Sequence, residues 1–271
     1  YHAVHTEAGE FFDYILQHEL YDLETKPGKT TGGYCRWLPS FCTPFVFTNF
    51  NGTPEDVQVL THESGHGFAA YTYTKYGENP IDFLRYAPGA THEIQSQAME
   101  FFCNRHIEYL MDEKSAKKYR YQHMVNALNQ LCYECAVDEF QHEVIGNPDG
   151  MTPQRMCDIW HSKEQKYVPW RDYDGNAFFE QGGFWMTKMH LFMGPLMYIE
   201  YGLAMICAMQ YYNMSKTDYE AAWENYYRFC HLGCRLEYRD LLKAGNLQCP
   251  FDSGVVKRVV DMIRPDLDLS I

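Results

Sequence analysis

Apolar residues recur at intervals of three and four along most of this chain, and that spacing predicts a mainly α-helical protein. Residues 3–24 place Phe11, Phe12, Ile15, Leu16, Leu20 and Leu23 on one stripe with acidic residues opposite, the pattern of one amphipathic helix. The same periodicity predicts helices near 91–112, 116–145, 153–166, 195–213, 217–232 and 253–263. The helix near 217 opens on Thr217-Asp218-Tyr219-Glu220, which reads as a capping box. Between 33 and 50 the texture changes to GYCRWLPSFCTPFVFTNFNG, aromatic and β-prone residues bounded by Gly and Pro. This predicts two short strands, at 33–38 and 45–49, forming a small hairpin or sheet. Thr53-Pro54-Glu55-Asp56 follows, with an N-cap threonine, proline at the first helical position and acids in the first turn, so a helix starts there. Residues 168–185, VPWRDYDGNAFFEQGGFW, are the longest irregular stretch.

Composition narrows the classes available. At 271 residues the chain can bury a large core, and residues 1–271 read as one helical domain. A hydrophobic fraction of 46% argues against disorder, and a net charge of −13 argues against sequence-blind binding to nucleic acid or anionic membrane. No run reaches the ~20 apolar residues that span a bilayer. Ten cysteines are scattered through apolar helical surroundings, among them Cys35, Cys42, Cys103 and Cys207. The one Cys-x-x-Cys, Cys132 to Cys135, lacks a second pair and reads as a helical pair, so the expected compartment is reducing and cytoplasmic. The chain opens at Tyr1 inside an amphipathic helix, from which we expect a portion of a longer polypeptide.

The helix begun at Thr53 carries His62-Glu63-Ser64-Gly65-His66. Positions i and i+4 share a helix face with Cβ atoms ~6 Å apart, so two imidazoles can converge on one zinc ion at ~2.0–2.1 Å. Glu63, turned by about 100°, stands beside the metal, where a general base belongs. With 12 histidines and 36 acidic residues of both kinds, the chain is expected to contain this pattern by chance at most roughly 0.07 times. The pairs His18-Glu19, His92-Glu93 and His142-Glu143 fail to complete it, having Asp22, Ser96 and Gly146 at the second histidine's place. A catalytic zinc needs a third protein ligand and an open position. Glu78, Glu93, Glu100 and Glu108 are candidates; Glu78 sits in a turn, and Glu93 and Glu100 lie two helical turns apart, able to act as a ligand and an orienting carboxylate. Spacing does not choose between them.

The segments GGYCRWLPSFCTPFVFTNFNGTPEDVQVLTHESGHGFAAY and EIQSQAMEFF resemble the oligoendopeptidase F branch of the thimet oligopeptidase family of zinc peptidases, and the resemblance runs to LLKAGNLQCPFDSGVV. It implies a multi-helical, zincin-like catalytic domain, the carboxy-terminal half of a protein whose amino-terminal half completes a substrate channel. It implies one zinc ion held by His62, His66 and Glu93, Glu63 as the catalytic glutamate, and Glu100 as the acid that follows the third ligand. MHLFMGPLMYIEYGLA matches the family's late His-loop-Tyr segment, so His190, Tyr198 and Tyr201 are implied to meet the scissile carbonyl. The expected reaction is cleavage of internal bonds in short peptides, with the strand at 45–49 aligning the peptide by backbone pairing at an exposed sheet edge. The alternatives are carboxypeptidase-like trimming, for which Arg85, Arg105 and Arg235 are available to grip a terminal carboxylate, and a non-catalytic helical binding module.

Overall fold

The computed structural model describes residues 1–75, 89–233 and 235–267. In chain order its elements are helix α1 (Thr6–Gln17), strands β1 (Tyr21–Glu24), β2 (Tyr34–Leu38) and β3 (Thr43–Phe50), and helices α2 (Pro54–Lys75), α3 (Gly89–Asn104), α4 (Glu113–Gly146) and α5 (Pro153–Tyr167). The one-turn helices α6 (Ala177–Glu180) and α7 (His190–Met193) follow, then α8 (Ile199–Thr217), α9 (Tyr219–Leu232), α10 (Tyr238–Ala244) and α11 (Val255–Ile263). The fold is mainly helical with one small sheet.

The chain divides into two compact units, Tyr1–Gln122 with the chain from Ala204 onward, and His123–Leu203. In the first, the sheet order is β1-β3-β2, with β1 parallel and β2 antiparallel to β3. β1 corrects the single helix expected over 3–24. Glu19 adopts a left-handed φ of 52°, which ends α1, and Tyr21 and Asp22 pair with Val46 and Phe47. A pairing partner more than 20 residues away overrides local helical period there. The same topology corrects the substrate-aligning role expected of the strand at 45–49. β3 lies between β1 and β2, with Val46 and Phe47 paired to both, so this strand is not a sheet edge.

The start of α2 follows its sequence signal. Asp56 N–H donates to Thr53 Oγ1 at 3.3 Å, and Thr53 N–H donates back to Asp56 Oδ2 at 2.8 Å, a reciprocal cap. Beyond that turn α2 is buried on nearly all sides. Its small residues Gly65, Gly67, Ala69 and Ala70 let the neighbouring elements approach closely. Trp37 of β2 packs on Ala70 and Tyr73, while Phe68 meets Trp223 at 5.5 Å and stacks on Tyr226 at 6.0 Å between ring centroids. Each such buried ring stabilises the unit by roughly 2–3 kcal/mol.

Other boundaries moved for local reasons. The helix expected at 195–213 starts at Ile199, because Leu196 has a left-handed φ of 64°. The helix at 217 is capped by Asp218, which accepts from Ala221 N–H at 3.0 Å, and Thr217 ends the preceding helix. α10 was not expected. In the second unit, Tyr133, Phe140, Ile159, Trp160, Val168 and Tyr198 form the core. The irregular stretch after α5 is tied to that core by Glu164, which takes the Tyr173 hydroxyl and Arg171. No described helix is long and apolar enough to cross a membrane.

Candidate metal centre

α2 and α3 bring His62, His66 and Glu93 together, with one ligand atom from each lying within 4.8 Å of the others. Glu93 Oε2 stands 3.2 Å from His62 Nε2 and 3.6 Å from His66 Nε2. Ligand atoms at ~2.0–2.1 Å from one tetrahedral ion are roughly 3.3–3.4 Å apart, so this trio fits a zinc-sized cation. The approach requires glycine inside the motif. A Cβ on Gly65 would fall 2.6 Å from Ser96 Cα and 2.8 Å from the Gln95 carbonyl oxygen. Any larger residue would push α3, and Glu93 with it, away from the histidines.

Hydrogen bonds orient the three side chains. Glu100 Oε1 accepts from His62 Nδ1 at 2.7 Å, which leaves Nε2 aimed at Glu93. Ser96, one turn after Glu93, donates its hydroxyl to Glu93 Oε2 at 3.1 Å. Gln58, one turn before His62, donates to Glu100 Oε2 at 2.9 Å. Neither Ser96 nor Gln58 was singled out from the sequence, although their i+3 and i−4 offsets on helices were legible there.

His66 and Glu93 already have the protonation states that metal ligands need. Burial drives the His66 imidazole down to about 3, so it is neutral at ordinary pH. Burial opposes ionisation of Glu93, but the His66 and His62 rings and the Ser96 hydroxyl outweigh it, and its carboxyl stays below the usual carboxylate range. Burial also works against charge on His62. Hydrogen bonds to Glu100 and Glu93, backed by their charges, hold it well above the usual histidine value. In the ligand trio that proton stands where a divalent cation would replace it.

Glu63 lies on the neighbouring face of α2 and is only 7% exposed. Burial raises its carboxyl to about 7, against the opposing pull of His62 and of the Cys35 backbone N–H. The chain at Gly33 crosses directly over it: a Cβ there would lie 2.6 Å from Val59 Cγ1 and 3.3 Å from Glu63 Oε1.

His190, Tyr198 and Tyr201 belong to the second unit, which gathers them into one cluster. Ring centroids are 5.1 Å apart for His190 and Tyr198, 5.9 Å for His190 and Tyr201, and 5.5 Å for the two tyrosines. Tyr198 is 5% exposed and its hydroxyl accepts from Gln130 at 2.8 Å; His190 and Tyr201 are only partly buried. Of the remaining candidates, Glu108 pairs with Arg120 at 2.6 Å, Arg105 donates to the Ser215 carbonyl at 3.2 Å, and the Arg235 guanidinium lies 5.8 Å from the Tyr73 ring. Glu78 and Arg85 lie outside the described residues.

Known proteins carry the same architecture. A PZ peptidase A in complex with an inhibitor matches 98% of this chain at 40% identity and a TM-score of 0.92, and the match covers 47% of its own length. A protein described as an oligoendopeptidase F matches 99% at 41% identity and a TM-score of 0.92, covering 46% of its length. Oligopeptidase PepF of Bacillus subtilis (strain 168) is 22% identical over 93% of this chain. The chain spans about half the length of the solved relatives and 35% of PepF. The family model for peptidase family M3 matches residues 4–260, so the chain belongs to peptidase family M3.

Proposed function

We propose that this chain is the catalytic part of a zinc-dependent oligopeptidase that cuts internal bonds of short peptides. The observation carrying the reading is the convergence of His62, His66 and Glu93 within 4.8 Å, with a buried glutamate one residue after the first histidine. In this reading the two imidazoles and Glu93 would hold the ion. Zinc, when bound, supplies Lewis-acid polarisation of the attacking water and of the scissile carbonyl. Glu63 accepts the proton of that water and returns it to the leaving amine. Its carboxyl suits both roles because burial, not an ion pair, sets its proton affinity.

His190, Tyr198 and Tyr201 are assigned to the developing oxyanion, each good donor contributing about 3–4 kcal/mol. Support for this assignment is their shared cluster, in which His190 and Tyr201 retain solvent access. The relatives' extra length supports a second half, supplied by the rest of a longer chain, that completes the substrate channel. The cytoplasmic setting stays the expectation drawn from the scattered cysteines.

The test is zinc content and hydrolysis of quenched peptides by the full-length protein and its Glu63→Gln variant. Both are expected to hold one equivalent of zinc, with turnover lower in the variant by about 10²–10⁴-fold. Equal hydrolysis by the two proteins would remove Glu63 from the mechanism. Product analysis on an end-blocked peptide separates internal cleavage from trimming.

A further inference from the structure

We propose that Gln58 is a positioning residue for the metal centre, fixing His62 through Glu100. This rests on the zinc reading above. Gln58 and His62 are one turn apart on the same face of α2, and Glu100 faces both from α3. The Gln58 carboxamide donates to Glu100 Oε2 at 2.9 Å, and Glu100 Oε1 accepts from His62 Nδ1 at 2.7 Å. One carboxylate is thus held by two successive turns of the same helix. Carboxylate torsions are broad and roughly two-fold, so a single hydrogen bond leaves the plane of the group free to turn. A second bond from Gln58 helps to hold that plane, and with it the direction in which Glu100 accepts from His62. The ring follows, and its Nε2 points at Glu93 Oε2, 3.2 Å away.

The chemistry of residue 58 fits the task. Glu100 is only 2% exposed, so water contributes little to its solvation and each protein donor counts. A carboxamide supplies a strong donor without placing another negative charge beside Glu100. Gln58 itself is partly exposed and lies outside the ligand trio. It acts only through the carboxylate it holds.

The experiment measures zinc dissociation constants of the full-length protein by competition with a chelator. Four variants are used: Gln58→Met, Gln58→Lys, Glu100→Leu and Gln58→Met/Glu100→Leu. Gln58→Met keeps length but loses the donor, and zinc affinity is expected to fall about tenfold, the lower end for loss of a partner behind a ligand. Gln58→Lys restores a donor and is expected to bind within about twofold of wild type. In the Glu100→Leu background the methionine change is expected to add nothing, because leucine neither accepts from His62 nor pairs with Gln58 and the link is gone. Unchanged affinity in Gln58→Met, or a tenfold loss that persists in the Glu100→Leu background, overturns the proposal. A second readout does not need the metal. In the zinc-free protein the His62 Nδ1 proton resonance, identified by its loss in His62→Gln, is expected to move upfield in Gln58→Met and to stay in place in Gln58→Lys. A wild type that binds no zinc would sink the peptidase reading while leaving this resonance to decide the role of Gln58.

Discussion

α2 and α3 each bury one acid near the metal-centre histidines: Glu63 is 7% exposed and Glu100 2%. In the second unit, the core beside α5 is built largely from rings. Trp160, fully buried, meets Tyr133 edge-on at 5.8 Å and Phe140 at 5.3 Å. The first arrangement gains little from area and depends on each polar atom finding its partner. The second gains from area and shape, and a ring removed there leaves a void. The two regions should therefore fail differently: one by losing orientation, the other by losing stability.

Trp160→Ala carries the largest expected effect. Emptying that site costs about 3–5 kcal/mol, read as a lower urea midpoint of the full-length protein. Zinc affinity of the fraction that remains folded is expected to match wild type, because no ligand comes from this core. A parallel loss of zinc affinity would break the contrast between the regions.

Gly65→Ala is the converse case. The added methyl meets backbone of α3 at 2.6 and 2.8 Å, contacts that no side-chain rotation relieves. Overpacking costs about 1–3 kcal/mol, a smaller loss than at Trp160. Zinc affinity is nevertheless expected to fall by about tenfold, since α3 carries both Glu93 and Glu100. Wild-type affinity in a destabilised Gly65→Ala protein would show that the ligands do not depend on this approach.

These differences also mark what the sequence made legible. Two ligands one turn apart on a single helix are a short-range pattern, so His62, Glu63 and His66 stood out, as did the cap at Thr53. Choosing Glu93 over its neighbours needed the family resemblance, because the ligand arrives on a second helix and spacing within α3 also favours Glu100. Gln58 and Ser96 sat at readable offsets, but amides and hydroxyls at such offsets are too common to signal anything alone. β1 was illegible for a different reason: Leu20 and Leu23 continue a helical stripe, and only pairing with β3 turns Tyr21–Glu24 into a strand. The loop after α5 was equally closed, since nothing in its local pattern ties Arg171 and Tyr173 to Glu164.

That loop offers the next test. Arg171 lies 4.6 Å from the Tyr133 ring and 4.8 Å from that of Phe184, and shares Glu164 with the Tyr173 hydroxyl. Tyr173→Phe removes one hydrogen bond to a buried carboxylate while Arg171 keeps its own, so the expected loss is about 1–1.5 kcal/mol. Limited proteolysis is expected to cut within 168–185 sooner than in wild type. Unchanged proteolysis and urea midpoint would mean that ring packing alone holds the segment.

The smallest effect lies on the same unit's surface and depends on pH. Glu139 on α4 accepts from Lys166 at 2.7 Å and Tyr167 at 2.6 Å on α5, and from Lys163 at 3.2 Å. The Lys166 and Tyr167 hydrogen bonds lead in holding its carboxyl at about 2, below the ordinary 4.5. A carboxyl lowered in the folded state contributes stability that is complete above its unfolded value. That contribution disappears as pH falls through the folded one. Its window is therefore between about 4.5 and 2. The group is 36% exposed, so water screens it and the contribution is under ~1 kcal/mol. Wild type and Glu139→Gln are expected to differ by that small amount at pH 7 and to converge as the pH is lowered toward 2. A gap undiminished at pH 2 would assign the effect to packing between α4 and α5, making even this surface network behave like the aromatic core beneath it.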